Sequence, residues 1–62
     1  MPFITVEIRR GRTLEQRRKF VTAVTQAAVE AFSTTPEKVR IRFLEIDDTE
    51  LARAGVLLCD EQ

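Results

Sequence analysis

Polar and apolar positions alternate from the start of the chain. Ile4, Val6 and Ile8 fall on one side of an extended backbone; Phe3, Thr5 and Glu7 fall on the other. That period of two predicts a strand over 3–8. Pro2 suits its start, because a first strand residue need not donate to the ladder. A second alternation runs from Val39 to Ile46. Val39, Ile41 and Phe43 share one face, and Arg40, Arg42 and Leu44 share the other. Between the two, apolar residues recur at three- and four-residue spacing. Phe20, Val24, Ala27, Ala28 and Ala31 form a stripe, broadened by Val21 and Phe32. This predicts a helix from about Leu14 to about Phe32, with Arg17, Arg18, Gln26 and Glu30 on its wetter side.

The punctuation agrees. Arg9-Arg10-Gly11-Arg12 reads as a turn, with Gly11 at a position of positive φ. Thr13-Leu14-Glu15-Gln16 fits a capping box, typically worth ~1 kcal/mol. Ser33-Thr34-Thr35-Pro36 ends the helix, since the residue before a proline is pushed out of the α region. Strand, helix and strand make a βαβ unit, with a right-handed crossover and parallel strands. The tail has two readings. Asp48 to Gly55 forms a short helical turn, or it leads into a hairpin with Val56-Leu57-Leu58 as a strand. The class is α+β, with one domain over 1–62. One helix on two parallel strands leaves a sheet face bare and both edges open. Several copies are therefore expected to pair and stack.

Composition narrows the chemistry. The chain has 62 residues, one cysteine and no histidine. It allows no internal disulfide, no zinc finger and no Cys–His nucleophile. Cys59 reads as a small buried side chain, and no metal or cofactor is called for. A chain this short buries only about 60% of its unfolded surface, which again favours an oligomer. No apolar run approaches the ~20 residues of a membrane span, and no signal peptide is present, so a cytoplasmic protein is expected. Net charge is zero, which counts against nucleic acid. Its distribution is uneven. Arg9, Arg10, Arg12, Arg17, Arg18 and Lys19 come early; Glu45, Asp47, Asp48, Glu50, Asp60 and Glu61 come late. The simplest reading is that the two groups pair with each other or with a neighbouring subunit. The sharper one makes individual arginines anion ligands.

Pro2 carries the chemical question. Removal of Met1 would expose a secondary amine on a rigid ring; with Met1 retained, Pro2 is an amide and cannot act as a base. A free α-amine has a pKa of about 7.7–8.0. Desolvation and nearby cations would lower a prolyl amine toward neutrality, where a general base works best. Arg12 sits at the strand-to-helix turn, near helix N–H groups that also favour anions. Its planar fork matches a carboxylate. Arg40 lies on the strand face opposite Val39 and Ile41 and calls for a ligand or an ion pair; Arg42 is its possible substitute two residues on.

In order and spacing, these residues resemble the 4-oxalocrotonate tautomerase family over essentially the whole chain. The match rests on Met1-Pro2 opening a strand, Gly11-Arg12 before a capped helix, and Val39-Arg40 opening a second strand. Ala54-Gly55-Val56-Leu57-Leu58-Cys59-Asp60 resembles the family's Gly-Gly-Val-Leu-Leu-Ser-Asp ending. The resemblance implies a β-α-β tautomerase unit that pairs into dimers and assembles as a hexamer, with trimers and heterohexamers as variants. It implies Pro2 as general base and acid, Arg12 as carboxylate ligand, and Arg40 of a neighbouring subunit at the carbonyl or hydroxyl end. Ile8 and Leu51 are the candidate apolar contacts. Leu51 replaces the family's aromatic residue, and Ala54 replaces the first glycine. The implied reaction is enol-to-ketone isomerisation of a 2-hydroxy-dienoate or phenylpyruvate-like acid. Alternatives are a non-catalytic subunit of a heterohexamer, and a dehalogenase or hydratase with Glu7 or Glu45 activating water.

Overall fold

In the computed structural model, which describes residues 2–61, Phe3–Arg9 forms strand β1 and Leu14–Phe32 forms helix α1. Arg40–Ile46 forms β2, and a hairpin of Ala52–Arg53 (β3) and Val56–Leu57 (β4) follows. β1 and β2 are parallel, in register from Phe3 against Arg40 to Arg9 against Ile46. The ladder continues past both ends of β1. The Arg40 N–H donates to the Pro2 carbonyl at 3.1 Å, and the Arg10 N–H donates to the Ile46 carbonyl at 3.3 Å.

The alternation places Ile4, Val6 and Ile8, with Ile41 and Phe43, on the more buried face. The helix begins as its sequence dictates. Thr13 Oγ1 accepts the Gln16 N–H at 3.1 Å, and Gln16 Oε1 accepts the Thr13 N–H at 3.0 Å. It ends before Pro36 acts. Ser33 adopts a left-handed conformation (φ 53°) and donates its N–H to the Val29 carbonyl, an αL termination. Pro36 instead opens a short 3₁₀ turn, Pro36–Lys38.

The sheet-facing stripe differs from the one predicted. Arg17, Val21, Val24, Thr25, Ala28 and Val29 are half-buried or buried, while Ala27, Ala31 and Phe32 stay exposed. Arg17 belongs to the packed face and not to the wetter one. Its alkyl stem covers apolar surface while its head reaches a carboxylate. The tail is a hairpin and not a helical turn. Ala54 and Gly55 both have positive φ, 54° and 81°, the pair of conformations a two-residue type I′ turn needs. The Leu58 N–H donates to the Leu51 carbonyl at 2.9 Å, and the Cys59 N–H donates to the Asp48 carbonyl at 3.2 Å. Cys59 is exposed, contrary to its expected burial; it lies in the 3₁₀ turn Leu58–Asp60 that follows the hairpin, tied to the chain through its backbone N–H and not through its thiol.

One protomer has almost no core. Ala28 is the only buried apolar residue among those described. The accessible area is 5092 Å², against about 4100 Å² for a compact chain of this mass. The radius of gyration is 14.8 Å, against about 11 Å expected for a compact chain of this length. Phe3 is 75% exposed, and Leu51, Val56 and Leu57 on the hairpin are also open. Among the described residues, no helix is long and apolar enough to cross a membrane.

Candidate active site

The candidate residues fall into two groups at opposite ends of β1. Pro2 lies half-buried before the first strand residue, beside a depression lined by Phe32, Ser33, Thr34 and Lys38. Arg40 is its neighbour across the ladder, through the 3.1 Å bond to the Pro2 carbonyl. The Arg40 side chain belongs to the exposed sheet face, where Phe3, Thr5 and Arg42 share a shallow groove with it. Arg12 follows the other end of the seven-residue β1. At about 3.3 Å per residue, roughly 23 Å of strand separates it from Pro2. One chain therefore joins Pro2 and Arg40 through their backbones alone and keeps Arg12 away from both. The expectation for Met1 concerns a residue outside those described.

Arg12 opens onto a cleft of about 160 Å³ between α1 and the sheet, lined by Val6, Ile8, Gln16, Arg17, Phe20 and Phe43. Ile8 and Arg12 are thus brought together. Apolar walls with a guanidinium and an amide at the rim suit an acid whose carbon skeleton is flat and apolar. Phe43 anchors the cleft. Its ring meets Phe20 at 5.9 Å with the planes 57° apart, an edge-tilted geometry that aromatic pairs prefer. The Arg17 guanidinium sits 5.2 Å over the Phe43 ring and pairs with Glu45. Leu51 does not line this cleft; it stands on the tail, 41% exposed.

A second, more polar groove lies over the β1–α1 turn, bounded by Arg9, Arg10, Gly11, Arg12, Asp47 and Asp48. Arg9 grips Asp48 through two hydrogen bonds of 2.9 and 2.8 Å. Those hydrogen bonds first, and the carboxylate charge second, hold Arg9's proton affinity above its already high ordinary value. Gly11 has φ 107°, a conformation that bends the chain out of β1 into the helix cap. Early arginines pair with late acids here, as the simplest charge reading expected. Glu45 is engaged by Arg17, and Glu7 sits on the exposed sheet face.

Sequence reasoning passed over Arg17 because its spacing placed it on the wrong side of the helix. The available signal was Phe43 and Glu45 on one strand, a ring and a carboxylate that together complement a guanidinium.

A model of the tautomerase enzyme family matches residues 2–61. The 2-hydroxymuconate tautomerase of Bacillus subtilis is 38% identical over 60 residues, covering 97% of each chain. The crystal structure of YwhB, a homologue of 4-oxalocrotonate tautomerase, superposes with a TM-score of 0.94 at 36% identity, covering 98% of this chain and 100% of that one. One of the 4-oxalocrotonate tautomerase isozymes of Methylibium petroleiphilum superposes at 0.90 with 34% identity, over 94% of this chain and 91% of that one. The chain belongs to the tautomerase family.

Proposed function

We propose that this chain, as an assembled oligomer, isomerises a 2-hydroxy-dienoate or similar enol acid to its conjugated ketone. Pro2 is the general base and then the acid. The observation that carries this reading is the position of Pro2 and Arg12 at opposite ends of one strand. β1 has an edge that β2 leaves open. A second copy pairing there antiparallel, symmetric about Val6, matches all seven strand residues. That register sets Phe3 against Arg9 of the second copy and brings Pro2 beside its Arg10-Gly11-Arg12 turn. The pairing also supplies the sheet partner that a nearly coreless protomer lacks.

In that site the amine of Pro2, freed by removal of Met1, takes the enol hydroxyl proton and returns a proton to carbon. Apolar walls including Ile8 disfavour the charged amine, and arginines repel it, so the base is neutral near pH 7. Arg12 holds the substrate carboxylate in a bidentate grip. Arg40 of a neighbouring copy steadies charge developing on the oxygen. Leu51, which lies outside the cleft of its own chain, serves as an aliphatic wall only from another copy. The tautomerase reading stands ahead of a dehalogenase or hydratase because neither Glu7 nor Glu45 is a free carboxylate in the cleft.

Two measurements test this. The intact mass of protein from its native host should lack Met1. Enol-to-ketone conversion should fall at least a hundredfold in Pro2→Ala, the size of a lost general base. A retained Met1, or equal rates in the two proteins, would sink the proposal.

A further inference from the structure

We propose that Glu7 and Arg42 form a reciprocal charge clasp across the seam between two copies of this chain, and that the clasp selects an identical copy as the partner of β1. The inference rests on the antiparallel pairing proposed above and names the side chains that choose the partner in it. The exposed face of the β1–β2 sheet carries Phe3, Thr5, Glu7 and Arg9 on one strand and Arg40, Arg42 and Leu44 on the other. Within one chain, the register sets Thr5 beside Arg42 and Glu7 beside Leu44. Neither Glu7 nor Arg42 forms an ion pair among the described residues. The cation two residues along from Glu7 is Arg9, which is committed to Asp48 by two hydrogen bonds. Arg42 shares its groove with Phe3, Thr5 and Arg40, none of which offers it a carboxylate.

Symmetry about Val6 supplies the missing partners. It sets Thr5 against Glu7 of the second copy. Opposed residues in an antiparallel pair lie on the same face, with Cβ atoms about 4.5–5.5 Å apart, so the Thr5 hydroxyl meets that carboxylate. Arg42 stands one strand further along the same row. Two strand spacings of about 4.8 Å separate its backbone from Glu7 of the second copy, roughly 10 Å in all. An extended arginine and an extended glutamate span that distance together. The two-fold axis repeats the row in reverse, so Glu7 of the first copy faces Thr5 and Arg42 of the second. The seam then holds two such rows, each drawn from both copies, and is self-complementary as an isologous interface requires. A partner strand without this acid and this base leaves charges on the seam unmatched, and that penalty is what gives specificity.

Charge reversal tests the clasp. Glu7→Lys gives a chain with two cations in the row, and Arg42→Glu gives one with two anions. Each should pair poorly with itself, because like charges across strands repel. Together they restore both rows. The two chains, one of them isotopically labelled, should be unfolded together and reassembled at low salt. Native mass should show oligomers holding the two chains in equal numbers, with mixed pairs rising from the statistical half to about nine-tenths, the result of a tenfold preference. Added salt should return the mixture toward one half as screening weakens the contacts. The chain carrying both Glu7→Lys and Arg42→Glu should assemble with itself as wild type does, which separates a lost clasp from a lost fold. Statistical mixing at low salt, or a double variant that fails to assemble, would overturn the clasp; wild-type enol-to-ketone conversion reads the tautomerase proposal separately. Wild type that stays monomeric would overturn the clasp and the pairing together.

Discussion

Arg9 fastens the end of β1 to the chain beyond β2: its Nε and one Nη donate to the two carboxylate oxygens of Asp48 at 2.9 and 2.8 Å. Asp48 in turn accepts the Cys59 N–H on its own carbonyl at 3.2 Å. One residue thus links the strand end, the turn before the hairpin and the segment after it. Both partners are substantially exposed, and exposed pairs add little to global stability. The expected effect is local. Arg9→Ala should speed amide exchange of Leu58 and Cys59 several-fold while leaving the helix amides of α1 unchanged. Because the pair raises Arg9's proton affinity, the arginine's contribution is complete at neutral pH and is lost as pH rises into strong alkali. Exchange protection that tracks α1 instead would contradict the clamp.

Arg17 should matter more. Its guanidinium covers Phe43 at 5.2 Å and pairs with Glu45, and its side chain is 29% exposed. Arg17→Ala removes a partly desolvated cation–π contact and the packing of the stem, and should cost about 1–2 kcal/mol in chemical denaturation at fixed protein concentration. Arg17→Lys should recover only part, since an ammonium lacks the planar face that lies on the ring.

The hairpin turn carries a correctable strain. Ala54 occupies a left-handed conformation at φ 54°, ahead of Gly55 at 81°. A side chain there costs roughly 1–2 kcal/mol in a conformation glycine adopts freely. Ala54→Gly or Ala54→Asn should therefore raise the thermal midpoint by several degrees. Ala54→Val should lower it. A fall in Ala54→Gly would mean the turn geometry is different.

The proposed base fixes the sign of the pH dependence. A protonated Pro2 amine is inactive, so kcat/KM should rise with pH through the amine's pKa and then level. Arg12→Ala takes away a cation, which favours the protonated amine. The rising limb should shift to higher pH, alongside a higher KM. A limb that stays put in Arg12→Ala would place Arg12 away from the base.

Strand and helix limits were legible because the two periods, the Thr13–Gln16 box and Gly11 all act within a few residues of themselves. β1 ends one residue beyond its prediction, and β2 begins one residue later, at Arg40. The helix face was not legible to the residue. Four alanines and two phenylalanines give α1 more apolar surface than one small sheet can cover, so spacing alone cannot say which part turns inward. Arg17 shows the same ambiguity, since a long side chain packs by its stem and solvates by its head. Pro2, Arg12 and Arg40 were readable as residues but not as an arrangement. Their relation depends on the length of β1, which puts Arg12 at the far end from the other two.

That separation yields the most direct test of the central claim, that Pro2 and Arg12 of one site come from different copies. Pro2→Ala and Arg12→Ala proteins, each weakly active alone, should be unfolded together, reassembled and assayed at low substrate. Random pairing across a two-fold interface makes half of the pairs mixed, and each mixed pair holds one site with an intact Pro2 and an intact Arg12. The mixture should recover about a quarter of wild-type activity. A mixture no more active than its two components, with mixed oligomers confirmed by native mass, would contradict the account.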